Sequence, residues 1–162
     1  MLVQLMGELE GAKLCQVLTS GLNNDSTVEQ NAMLFRVAQG TDSLDDFVDM
    51  YGHRAVAEME LSKPRWREDR SYLEQIIGNQ NVSETHSPAS LHKRNEHRRH
   101  ETMEALPGVL AEWGGSSMRE EVTDVAREAQ DLLPYREIGK HYLLMGYEVI
   151  RSAILELGRR WG

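Results

Sequence analysis

The chain has 162 residues, 40% of them hydrophobic and 27% charged, with a single cysteine. This length predicts one domain or a large part of one, and the ordinary composition excludes wholesale disorder, collagen-like repeats and a disulfide scaffold. Its 26 acids against 18 bases leave a formal net charge of −8, which disfavours broad binding to nucleic acid, because such binding needs surplus Lys and Arg to neutralise phosphates.

Residues 1–20 place Leu2, Leu5, Met6, Leu14, Val17 and Leu18 near helical spacing, with Gly21 as a stop and Gly7 and Gly11 as weak points. Ser26-Thr27-Val28-Glu29 has the spacing of a capping box and predicts a helix to about Gln39, stopped at Gly40. Ser43-Leu44-Asp45-Asp46 repeats that start with Asp in place of Glu, and Leu44, Phe47, Val48 and Tyr51 form an apolar face that Gly52 ends. From His53 to Asp69 the periodicity fails, which predicts an ordered, irregular loop. A short helix from Ser71 to Ile77 follows, and the polar, turn-rich residues 78–90 predict a mobile loop.

Residues 90–105 read as a helix with little to bury, and Pro107-Gly108 as a break. The run VLAEW leads through Gly114-Gly115 to Ser117-Met118-Arg119-Glu120, another capping-box spacing that opens a long helical stretch. Pro134 is expected to end or kink it, with a second segment from about Tyr135 to Arg160. In that segment Tyr142, Met145, Val149, Ile150, Ile154 and Leu157 read as core. The expected fold is therefore all-α: an irregular multi-helix domain of about six to eight helices, with an ordered loop near 53–69 and a long C-terminal helical segment. No apolar stretch approaches the roughly 20 residues needed to span a bilayer. The first residues lack a secretion signal, and lone Cys15 suits a reducing compartment, so a cytoplasmic protein without a membrane or nucleic-acid partner is expected.

Few motifs carry chemistry. The basic run from His92 to His100 reads as a solvated helix face, with Glu101 and Glu104 four residues beyond His97 and His100 to pair with them, rather than as a metal site. Gly114-Gly115-Ser116-Ser117 reads as a turn and cap rather than an anion cradle, and neither a P-loop nor a Gly-x-Ser-x-Gly elbow is present. Arg136 and Lys140 share a helical face, where two cations can stabilise a transferring phosphoryl group but are also a common surface feature. The loop is different in kind, because it packs His53, Arg54, Glu58 and Trp66 into a non-periodic segment. Two readings stay open for it: a functional loop, or a buried polar network with Arg54 paired to Glu58 or Glu60.

The phrases YGHRAVAEMELSKPRWRED and LLPYREIGKHYLLMGYEVIRSAILELGRRW, in this order, resemble the central helical domain of the phosphoenolpyruvate synthase-like dikinase superfamily, in its long members related to rifampicin phosphotransferase. The resemblance implies a phosphotransferase in which an ATP-grasp domain, with ATP and Mg, phosphorylates a histidine on a swivelling domain, and that histidine delivers phosphate to an acceptor. Neither of those domains is recognisable here, so the resemblance implies that the chain is the acceptor-binding and linker part, with no cofactor or metal of its own. Its partners would be the ATP-grasp and phosphohistidine domains and a small-molecule acceptor. It also implies that Arg136 and Lys140 face the incoming phosphohistidine, and it gives no firm role to His53, Arg54, Glu58 or Trp66. Residues 79–117 show no such likeness. The rival expectation is a stand-alone helical interaction module without catalysis.

Overall fold

The computed structural model describes residues 1–23, 25–79 and 87–161. Among these the chain is all-α, without a strand, and it divides into two compact units: Met1–Asp25 with Ala89–Arg136, and Ser26–Pro88 with Glu137–Gly162. Most of the loop expected near 78–90 lies outside the described residues.

The first unit holds α1 (Leu2–Met6), α2 (Glu8–Leu18), most of α6 (Pro88–Glu112), a 3-10 turn (Ser116–Met118) and the start of α7 (Arg119–Trp161). Gly7, at φ +82°, splits the first predicted helix into α1 and α2. Gly11 then lets the two pieces approach so closely that a Cβ there would lie 2.5 Å from the Val3 Cα. Leu2, Met6, Leu14, Leu18, Leu106, Leu110, Val122 and Ala126 form the core of this unit.

Pro107 does not break α6, contrary to the sequence expectation. A proline removes one amide donor and crowds the carbonyl four residues earlier, but Leu106 and Leu110, both fully buried, hold the turns on either side of it in place. The basic run of α6 is also not uniformly solvated. Arg99 is buried and donates from Nε to the Ser20 carbonyl (3.0 Å) and from Nη2 to the Gly21 carbonyl (3.1 Å), tying the end of the α2 segment to α6. His97 keeps its expected surface partner, with Nε2 3.2 Å from Glu101 Oε1.

The second unit holds α3 (Ser26–Ala38), α4 (Leu44–Tyr51), α5 (Ser71–Asn79) and the C-terminal part of α7. Ser43 caps α4 as its sequence predicts, its hydroxyl accepting from the amides of Asp45 (3.0 Å) and Asp46 (3.4 Å). Ser26 instead is the first residue of α3 rather than its cap, and its hydroxyl donates to the Glu137 carbonyl at 3.0 Å. Met33, Leu34, Phe47, Val48, Tyr51, Trp66 and Leu73 form the core of this unit. Full burial of side chains such as Phe47 and Leu73 stabilises by about 1.5–3 kcal/mol each.

Helix α7 runs without interruption from Arg119 to Trp161, so Pro134 does not end it. One lost amide bond is outweighed in a 43-residue helix whose two ends pack separately, Val122 and Ala126 in one unit and Leu144 in the other. The apolar residues expected to be core are a second correction. Tyr142, Met145, Val149, Ile150, Ile154 and Leu157 are all exposed, and of the apolar residues around them Leu144 is the one fully buried.

Candidate functional site

The segment after α4 is irregular because it bonds to itself. The Trp66 amide donates to the Arg54 carbonyl (2.8 Å) and the Arg67 amide to the Gly52 carbonyl (3.0 Å), laying residues 52–54 beside 65–67. The amides of Glu68 and Asp69 both donate to the Arg65 carbonyl, closing the return towards α5. Trp66 anchors the loop on the core, its ring centroid 6.0 Å from that of Phe47, which in turn lies 5.2 Å from Tyr51. Arg151 of α7 clamps the other side, with Nε and Nη2 on the Glu68 carboxylate (2.8 and 2.7 Å) and Nη1 on the Leu61 carbonyl. These bonds satisfy backbone groups that a helix or strand would otherwise pair, and they free the loop from a hydrophobic period.

Within this frame the charged residues turn inward. Arg54 and Arg65 are 2% and 0% exposed. Arg54 Nη1 reaches Glu58 Oε1 at 3.4 Å, Arg65 Nη1 donates to the Glu58 carbonyl at 2.8 Å, and Lys140 Nζ of α7 lies 2.5 Å from Glu58 Oε2. One carboxylate therefore serves a guanidinium and an ammonium, while its own backbone oxygen holds a second guanidinium. Glu60, the other partner weighed for Arg54, accepts instead from the Ser62 amide.

His53 is as buried as Arg54, and its ring meets that of His141 edge-on. Burial first, then the charge His141 carries when protonated and the positive charges of Arg54, Arg67 and Arg65, push the His53 pKa down to about 4. His141 is also lowered, by burial and by Arg54, against the opposing pull of Glu29. Burial and Glu29 raise the Tyr51 phenol, while Arg54 and Arg36 act the other way. Both imidazoles are therefore neutral near pH 7. Several buried nitrogens here have no hydrogen-bond partner among the described residues: Nε and Nη2 of both Arg54 and Arg65, Trp66 Nε1, His53 Nε2 and His141 Nδ1.

The structure thus gathers His53, Arg54, Glu58, Trp66 and Lys140 around one buried network. Arg136 is the last residue of the first unit, one helical turn before Lys140 on α7. Arg65 and His141 are the members that sequence reasoning passed over. Arg65 stands beside Trp66 in the same phrase, but His141 sits in a regular helix with nothing local to mark it. The first unit contains an apolar cavity of about 270 Å³ lined by Leu2, Cys15, Leu18, Val122, Val125 and Ala126 among others. That is slightly below the range of about 300–1,000 Å³ typical of sites for drug-sized molecules.

The sequence model for the rifampicin phosphotransferase fourth domain matches residues 39–137, a stretch that includes the whole loop and Arg136 but stops short of Lys140 and His141. Rifampicin phosphotransferase of Streptomyces sviceus is 24% identical over 145 residues, which cover 87% of this chain and 16% of that protein. The chain therefore spans about 16% of the length of this curated relative. No solved structure matches.

Proposed function

This chain belongs to the rifampicin phosphotransferase fourth-domain family, and we propose that it is the acceptor-binding and linker portion of an ATP-dependent phosphotransferase whose phosphoryl group arrives on a histidine of another domain. The observation that carries the reading is the lock between Lys140 and Glu58. It fixes a cation of α7 to the loop whose Arg54 and Arg65 are buried and which lies inside the family match. Phosphoryl transfer is catalysed chiefly by positioning and by fixed positive charge around the transferring group. Lys140, with Arg136 one turn earlier, would supply that charge, and Glu58 would hold the ammonium in place. Mg·ATP belongs, on this reading, to the ATP-grasp domain that the family resemblance implies, and no step here passes through it. The exposed apolar residues Tyr142, Val149, Ile154 and Trp161 of α7 are the kind of surface that such partner domains cover.

The same apolar surface favours a second reading, a helical interaction module without catalysis. Two measurements separate them. Calorimetric titration of the cooperatively melting chain with a rifamycin is expected to show saturable binding, and its absence would move the acceptor to another compound or to a pocket completed by the other domains. In an enzyme joining this chain to ATP-grasp and phosphohistidine domains, replacing Arg136 and Lys140 together with Ala is expected to slow transfer by about 100-fold, with helix content intact. Unchanged turnover would remove both residues from the mechanism.

A further inference from the structure

We infer that the loop between α4 and α5 encloses a binding site for a compact tetrahedral oxyanion of the phosphate class, gripped by the side-on edges of Arg54 and Arg65 and by the Trp66 indole N–H. The two arginines show the same pattern. Each spends Nη1 on Glu58 and keeps Nε and Nη2, the two nitrogens of one guanidinium edge, without a partner among the described residues. That edge presents two parallel N–H groups at the spacing of two oxygens on a phosphate, which is why arginine is favoured for bidentate recognition of such groups. Trp66 Nε1 is a further buried donor, on the residue next to Arg65 and with its amide bonded to Arg54.

Charge points the same way. Arg54, Arg65 and Lys140 all bond to Glu58, and its carboxylate is the single negative charge among them. The neighbouring acids are committed elsewhere: Glu68 to Arg151, Asp69 to Ser71, and Glu60 to the Ser62 amide. Glu29, which acts on His141 and Tyr51, is exposed on α3. Buried guanidinium groups without a compensating anion are strongly unfavourable, and water supplies hydrogen-bond acceptors but no charge. An anion with three or four oxygens matches two forked edges and a lone donor better than a two-oxygen carboxylate does.

This goes beyond the phosphotransferase reading and does not rest on it, because the same donors would hold an anion in a module that catalyses nothing. The test is calorimetric titration of the whole chain with inorganic phosphate, in parallel with its melting temperature, on a chloride background. Saturable one-to-one binding with a rise in melting temperature is expected. Arg65→Lys, which keeps the charge and loses the fork, should weaken binding by about tenfold or more. Arg98→Gln, on the exposed face of α6, should change nothing. If Arg65→Lys fails to fold, Trp66→Phe keeps an aromatic ring against Phe47 and should weaken binding through its missing N–H. Competition by glycerol phosphate would support a site that takes the phosphoryl group of an organic ester, and its failure to compete would support a free ion. No saturable binding by a cooperatively melting chain, or equal binding by the Arg65→Lys and Trp66→Phe variants, would overturn the inference. Neither result depends on whether a rifamycin binds.

Discussion

The imidazole of His53 stands edge-on to that of His141, with ring centroids 4.6 Å apart and planes at 88°. Two rings this close, beside buried Arg54, resist protonation together. Unfolded, His53 takes up a proton near its ordinary value of 6.5, whereas folded it resists until about 4. The unfolded state therefore binds more protons in that window, and stability present above about pH 6.5 is lost as pH falls towards 4. The expected loss from His53 alone is roughly 2 kcal/mol between about pH 7.5 and 5. Denaturant unfolding at both pH values should show a smaller loss for His53→Gln than for the native chain. His141 shifts in the same direction and stays in the variant. Equal losses in the two proteins would mean that His53 titrates normally.

Glu58 is the shared acceptor of Arg54 and Lys140, and its removal should expose that dependence. Glu58→Gln is expected to cost about 2 kcal/mol, because Arg54 stays buried with its counter-charge gone. Lys140→Met should cost less, since Lys140 is partly exposed and can be replaced without stranding a buried charge. A double-mutant cycle between the two should give a coupling of about 1 kcal/mol that shrinks with added salt. A coupling of zero would show that the ammonium and carboxylate do not hold each other.

Pro107 sits inside α6, where its nitrogen cannot donate to the carbonyl of Met103. Replacing it with Ala restores that donor and removes the ring's clash, so Pro107→Ala should stabilise the chain by about 1–3 kcal/mol. Thermal melts would show a rise of several degrees. A lower melting temperature would mean that the packing of the ring matters more than the missing bond.

Local chemistry made much of the fold legible in advance. Ser43 caps α4 and Gly7 interrupts the first helix, because each depends on residues within a turn or two of one another, and the segment from His53 to Asp69 announced its irregularity by losing the hydrophobic period. The all-α class and the resemblance carried by YGHRAVAEMELSKPRWRED were equally available from the chain alone, and the family match includes that phrase. Tertiary structure decided the rest. Periodicity marked Tyr142, Val149 and Ile154 as one apolar set but said nothing about whether anything covers them, and they are exposed. Two prolines that are local breakers lie within helices, where burial on neighbouring turns outweighs one missing bond. The candidate site depended most on the fold. Glu58 meets Lys140, Glu68 meets Arg151 83 residues away, and His53 meets His141 only because α7 returns beside the loop. Burial, which turned ordinary arginines and histidines into unpaired donors and neutral rings, follows from that three-dimensional placement and leaves no periodic trace in the sequence.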